Sequence, residues 1–276
     1  MDELVARLRA AGCVFAEDEA RIITEAADGD AARLEELAAA RVGGLPLEHL
    51  VGWAELDGRR WLVAPGVFVP RQRSELLVRE AAARAADAGS GPVLLVDLCC
   101  GCGALGGAVA ARLLAAGRDV EIHAADVDPA AVTCAHENLK ALSDDAATPG
   151  AGALTAYTYA GDLAEPLPAE VWGHVDVLVA NAPYVPTTAI SMMPPEAREH
   201  EPHAALDGGD DGLVILRRVI DLAPRLLRPG GHLLIETSEG QVSAAVEHLT
   251  SAGLTATVLS DEDLGATALA ATLPPK

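Results

Sequence analysis

Asn181-Ala182-Pro183-Tyr184 sets a primary amide, a proline and an aromatic ring directly after Val175-Asp176-Val177-Leu178-Val179-Ala180. A short apolar run of this kind reads as a buried strand. In an open α/β sheet the carboxyl ends of the strands form the ligand crevice, so the tetrad is placed to touch a substrate. A plain turn is the competing reading, since Asn and Pro both favour turns.

A second group follows an earlier apolar run. Asp97-Leu98-Cys99-Cys100-Gly101-Cys102-Gly103-Ala104-Leu105-Gly106 contains G-x-G-x-x-G, a pattern that lets backbone N–H groups approach a ligand at a helix start. Asp126 ends the next apolar run about 20 residues beyond the last glycine, where a carboxylate can accept bonds from ribose hydroxyls. A nucleoside-bearing cofactor follows, and the glycines alone suit a dinucleotide equally well. Asp97 points the other way: a carboxylate beside the loop repels a pyrophosphate and suits a cationic amino-acid or sulfonium ligand, both of which S-adenosylmethionine has. Asp162, in Gly161-Asp162-Leu163, is a third polar residue at a strand end, placed to meet an adenine or to make a turn.

The elements that must position these residues are legible from period and punctuation. Helices are predicted over 2–11, 17–27 and 31–42, with Asp30 as an N-cap and Gly43-Gly44 as a stop. A hairpin is predicted from 50–56 and 59–63 around Asp57-Gly58, a two-residue turn signal. From residue 76 strands at 93–97, 120–125, 153–159, 175–180 and 231–236 alternate with helices at 76–88, 104–116, 129–141, 210–227 and 240–251. Such alternation builds a parallel sheet with crossover helices. The last two apolar runs, 254–259 and 266–273, have no helix between them and predict an antiparallel hairpin at the sheet's end. The expected organisation is a helical module at 1–47, a hairpin and linker at 48–75, and a catalytic domain at 76–276.

Bulk properties narrow the function. The 276 residues are 50% hydrophobic, with a net charge of −21 from 41 Asp+Glu against 20 Lys+Arg. No basic block is present to neutralise successive phosphates, which argues against a direct nucleic-acid partner. Charges and glycines interrupt the apolar stretch 93–117, so no membrane span is expected. The start Met1-Asp2-Glu3-Leu4 has no signal-peptide character, and a cytoplasmic protein is expected. Cys99, Cys100 and Cys102 crowd one loop without a second Cys/His cluster, so Cys13, Cys134 and these three are expected to be small buried thiols and no metal is expected.

With these motifs in this order, the chain resembles the class I S-adenosylmethionine-dependent methyltransferases, and within them the HemK/PrmC-like protein glutamine N5-methyltransferases that modify peptide release factors. The resemblance rests on Pro70-Arg71-Gln72-Arg73-Ser74-Glu75, on the glycine loop, on the tetrad, and on Glu201-Pro202 through Leu213. The family's usual tetrad is Asn-Pro-Pro-Tyr and its usual front loop Pro-Arg-Pro-Glu-Thr-Glu. Here Ala182 replaces the first tetrad proline, and Gln72, Arg73 and Ser74 replace the middle of the loop. The resemblance implies a Rossmann-like, mostly parallel seven-stranded sheet ending in an antiparallel hairpin, with S-adenosylmethionine as cofactor. It implies cofactor contacts from Asp97, Cys99, Gly101, Gly103, Asp126, Val127, Asp162, Leu163 and Asn181. Acceptor contacts fall to Phe68, Arg71, Glu75, Ala182, Tyr184, His200 and Glu201, with Asn181, Pro183 and Tyr184 at the reaction. The side-chain carbonyl of Asn181 and the backbone carbonyl of residue 182 would accept the two N–H bonds of the acceptor amide. The expected partner is a release factor, the alternative being a small planar, indole-like or heteroaromatic molecule. His200, Glu201 and His203 are candidate bases, Met192-Met193 a candidate apolar lid, and Glu236 and Gln241 resemble positions the family keeps near the sheet end.

Overall fold

The computed structural model describes residues 1–85, 88–89, 91–146 and 152–275. Helices α1 (Asp2–Ala10), α2 (Ala16–Ala26) and α3 (Ala31–Val42) bury Leu4, Leu8, Ile23 and Leu37 in a small core of their own. Asp30 caps α3 as expected, its Oδ1 accepting the N–H bonds of Ala32 and Arg33. The hairpin starts later than its apolar pattern predicts. Leu50 and Val51 belong to a short helix, α4 (Leu47–Val51), which Pro46 opens and Gly52 closes at φ +81°. Strands β1 (Trp53–Leu56) and β2 (Arg59–Leu62) then pair antiparallel, with Asp57 and Gly58 both at positive φ in the turn.

The rest of the chain alternates. In order come α5 (Glu75–Ala85), β3 (Val93–Leu98), α6 (Ala104–Ala115), β4 (Val120–Asp126), α7 (Pro129–Asp145), β5 (Leu154–Ala160) and β6 (Val175–Ala180). Two short helices, α8 (Pro195–His200) and α9 (His203–Leu206), precede α10 (Val214–Leu226), β7 (Leu227–Glu236), α11 (Val242–Ser251), β8 (Thr255–Asp261) and β9 (Ala266–Thr272). The seven strands lie in the order β5-β4-β3-β6-β7-β9-β8. All are parallel except β9, which runs antiparallel to both neighbours. The α/β sheet and its terminal hairpin are those the alternation predicts.

Several boundaries move for local reasons. Helix 76–88 ends at Ala85, and positions 86 and 87 lie outside the described residues. Helix 210–227 begins only at Val214, because Gly209 and Gly212 hold positive φ in the preceding loop. Helix 240–251 opens as a 3-10 turn over Glu239–Gln241, where Ser238 and Gln241 form a reciprocal cap. Helices α8 and α9 lie in the polar stretch after the tetrad, which has too little apolar period to announce them.

Chain order reverses at β3. The path steps outward to β4 and β5, then returns to β6 on the other side of β3, making a topological switch point there. Register pairs Leu98 with Ala180, so the glycine loop and the tetrad leave the sheet side by side.

The hairpin is fastened to the sheet domain rather than standing apart. Trp61 is buried in the same core as α6 and β3, and its ring lies so close to α6 that a Cβ on Gly107 would sit 2.5 Å from Cζ3. Asn138 on α7 binds both backbone groups of Leu62, and its Nδ2 also donates to the Cys102 carbonyl at 2.8 Å. One amide thereby ties the hairpin to the glycine loop. At the other end Arg41, buried on α3, donates to Glu19 on α2 at 2.6 Å and to Glu196 on α8 at 2.6 Å. Among the described residues no helix is long and apolar enough to cross a membrane.

Gly107→Ala should overpack the Trp61 contact and destabilise the fold by about 1–3 kcal/mol. Urea unfolding followed by Trp fluorescence checks this, and an unchanged midpoint would show that the ring has room to move.

Candidate active site

Two adjoining cavities open at the carboxyl ends of β3, β4 and β6. The first, about 370 Å³, is walled by the glycine loop, by Asp126 and Val127 after β4, by Asp162 and Leu163 after β5, and by Asn181 and Pro183 after β6. The second, about 310 Å³, is walled by Arg71, Arg73, Ala182, Tyr184 and Glu201, with Glu48 and Glu196 at the side of the helical module. Phe68, Asn181, Pro183 and Ala205 line both. The tetrad is therefore the partition between them.

The glycines do different work. Gly101 at φ +55° turns the loop and donates its N–H to Asp126 Oδ2 at 2.8 Å. Asp126 Oδ1 accepts from the Asp128 N–H at 2.9 Å, so backbone donors fix the carboxylate on the cavity wall. Burial pushes its carboxyl above the ordinary range. Gly103 lines neither of these two cavities: at φ +75° it brings α6 against α7, where a Cβ would meet Ala135 Cβ at 3.0 Å. Gly106 donates to Asp97 Oδ2 at 2.9 Å across a gap with no room for a side chain.

Asp97 lies fully buried behind the loop rather than on the cavity wall. Its Oδ1 has no partner among the described residues, and burial pushes its carboxyl up to about 7. Cys99 lines the cavity half-buried at φ +56°, and Cys100 and Cys102, both buried, line it too. Burial raises these thiols well above the ordinary range, which makes them inert walls rather than nucleophiles. Asp162 holds Arg218 of α10 at 2.6 Å, while Val127 is exposed.

Glu236, buried at the end of β7, lies behind the wall of the second cavity and holds two of its lining residues, Arg73 and Tyr184. Its Oε1 accepts from Arg73 Nε at 2.7 Å and from the Tyr184 hydroxyl at 2.8 Å. Its Oε2 accepts from Ser74 Oγ at 2.6 Å. Arg73 also donates to the Tyr184 oxygen at 2.5 Å, and Ser74 Oγ accepts from Asn181 Nδ2 at 3.3 Å. Gln241 clamps the tetrad's backbone, donating to the carbonyls of Tyr184 at 2.8 Å and Asp211 at 3.0 Å. A Cβ on Gly212 would fall 2.3 Å from both that amide and the Tyr184 carbonyl, so only glycine fits. Arg71 pairs with Glu201, whose second carboxylate oxygen is buried without a hydrogen-bond partner among the described residues.

Some expected residues stand elsewhere. Glu75 begins α5 and lines neither cavity, because the 3-10 turn Gln72–Ser74 sends Arg73 and Ser74 inward instead. His200 sits on α8 away from both cavities, and His203 is exposed beside Asp207 at 3.7 Å, so neither is positioned as a base. Met193 lines the second cavity, but Met192 projects into solvent and covers nothing.

Relatives share this chain's sequence over most of its length. A release factor glutamine methyltransferase of Mycobacterium tuberculosis is 34% identical, the match covering 84% of this chain and 71% of that protein. One from Moorella thermoacetica is 35% identical over 85% of this chain and 76% of its own. The chain belongs to the release factor glutamine methyltransferase family. It is therefore a methyltransferase enzyme. No family model matches the chain. Among solved structures, the T. thermophilus 16S rRNA N2 G1207 methyltransferase in complex with AdoMet and guanosine superposes with a TM-score of 0.52 at 20% identity, covering 80% of this chain and 49% of that one. It shares the fold.

Against the family's Asn-Pro-Pro-Tyr, Ala182 is buried and its small side chain leaves the partition intact. Arg73 and Ser74, two of the three departures in the front loop, are the residues wired to Glu236. Reading the hexad as a unit with Glu236 would have found them; an Arg and a Glu 163 positions apart advertise no pairing in sequence.

Asp97 sets a pH dependence of stability. Its folded carboxyl titrates near 7 against an ordinary value of about 3.9 in the unfolded chain, so the native state holds an extra proton between those limits. Wild-type stability should fall as pH rises from about 4 to 7 and level off above, relative to Asp97→Asn, by on the order of a few kcal/mol. Parallel unfolding curves for the two proteins across this window, without added ligand, would contradict it.

Proposed function

We propose that the chain transfers the methyl group of S-adenosylmethionine to the side-chain amide nitrogen of a glutamine in a peptide release factor. The observation that supports this most directly is Asn181 as shared wall of the two cavities, with a nucleoside-sized, largely apolar space on one side and an acceptor space on the other.

The residues of the first cavity fit the cofactor. Asp126 would accept bonds from ribose hydroxyls, Asp162 and Leu163 on the same wall would meet the adenine, and Asp97, buried behind the glycine loop with its Oδ1 unpartnered among the described residues, would be favoured in its ionised form by a cationic ligand. S-adenosylmethionine supplies an electrophilic methyl carbon when bound. An amide nitrogen is a weak nucleophile because its lone pair is delocalised, so holding it in line supplies much of the acceleration. The Asn181 side-chain carbonyl and the Ala182 backbone carbonyl would accept its two N–H bonds and stabilise the positive charge that develops as the N–CH3 bond forms and the S–CH3 bond breaks, with the thioether leaving and the nitrogen losing one proton to water. Replacing proline by Ala182 keeps that carbonyl. Pro183 fixes φ at the partition, and the Tyr184 hydroxyl is anchored so that its ring stays at the cavity wall.

The named activity of the relatives favours the glutamine acceptor over a small planar molecule. The helical module, joined to the second cavity's wall through Arg41 and Glu196, would present the acceptor.

Labelled-methyl transfer to purified release factor, read by peptide mass spectrometry, tests the assignment; absence of label on any glutamine would end it. Asn181→Ala should lower turnover by roughly 10²- to 10³-fold while calorimetric affinity for S-adenosylmethionine stays near wild type. Asp126→Ala should do the reverse and weaken cofactor binding first.

A further inference from the structure

Asn181 can serve an amide acceptor only if its oxygen, and not its NH2 group, faces the second cavity. An NH2 group turned that way would set donor against donor. The two orientations have the same shape, so packing alone does not choose between them.

The buried chain behind Asn181 does choose. Glu236 is held as a carboxylate by the Arg73 guanidinium at 2.7 Å, and it accepts the Tyr184 hydroxyl proton at the same oxygen. It therefore has no proton to give. Ser74 Oγ, 2.6 Å from the other oxygen, must donate its single proton to Glu236. That leaves Ser74 only lone pairs for Asn181, and only the NH2 group can bond to them, at 3.3 Å. A reversed amide would place two lone pairs against each other, or would take the Ser74 proton and leave a buried carboxylate oxygen bare. We infer that Ser74 and Glu236 are positioning residues for methyl transfer, fixing the Asn181 amide so that its carbonyl oxygen faces the acceptor. The order of donation, Asn181 to Ser74 to Glu236, is set by the charge of Arg73 at its far end. The inference rests on the acceptor role of Asn181 given above.

The orientation is testable without any acceptor. In a protein labelled with nitrogen-15 asparagine, the side-chain signals of Asn181, assigned by their loss in Asn181→Ala, should show a nuclear Overhauser contact between one Nδ2 proton and the Ser74 β-protons. That contact should disappear, and exchange of the amide protons should quicken, in Glu236→Gln. An Asn181 amide with no such contact in the wild type would overturn the inference. In transfer assays Ser74→Ala should lower kcat by roughly 10- to 100-fold with S-adenosylmethionine affinity close to wild type and a lowered melting temperature, because Glu236 loses a donor, and Ser74→Thr should restore both. Equal impairment by Ala and Thr, or full turnover by Ser74→Ala, would mean that the hydroxyl does not position the amide. Should the wild type methylate no release factor, the substrate assignment fails, while the magnetic resonance result still decides the orientation.

Discussion

Everything at the acceptor side depends on one buried charge. A carboxylate at the end of a central strand is tolerated only where hydrogen bonds replace its lost water, and Glu236 collects three side-chain donors from two separate segments. Two come from the turn that leads into α5, and one from the tetrad. The cost of burying the charge thus becomes a positional constraint: the turn, the tetrad and the end of β7 can meet in one arrangement and no other. Arg73 is suited to this as a lysine would not be, because its guanidinium reaches Glu236 and Tyr184 with separate N–H groups held in one plane.

The cofactor side is organised differently. There, backbone N–H groups rather than a cation hold the carboxylates: Gly101 and Asp128 on Asp126, and Gly106 on Asp97. Among the described residues no positive side chain pairs with either, so a cationic ligand bound nearby would favour their ionised forms. The two styles meet at Asn181, whose strand is fixed by register to β3 and whose side chain is held by Ser74.

Sequence carried the sheet, its order of elements and the outline of the site, because alternation of period, glycine spacing and strand-end polarity are local signals. Asp126, Cys99, Gly101, Asp162, Leu163, Asn181 and Pro183 stand at strand ends that such signals pick out, and they line the first cavity. What escaped was set by long-range pairing. Leu50 and Val51 have strand chemistry, yet Pro46 and Gly52 enforce a helical turn. Glu75 and His200 stand beside site residues in the chain but not in space. Asn138 reads as an ordinary polar helix residue and is the tie between hairpin and glycine loop. Gly103 belongs to a ligand-binding pattern and is required for helix packing.

Arg41 lies almost wholly out of solvent, and its two carboxylate partners belong to parts of the chain that are 177 residues apart. Glu19 is inside the helical module, and Glu196 is on the wall of the acceptor cavity. A guanidinium shared in this way makes the module's identity inseparable from the wall's: a helical module drawn from another protein would leave Glu196 without its cation, and the wall would lose its hold on α3. Recombination at the module boundary keeps this tie only if residues 19, 41 and 196 travel together.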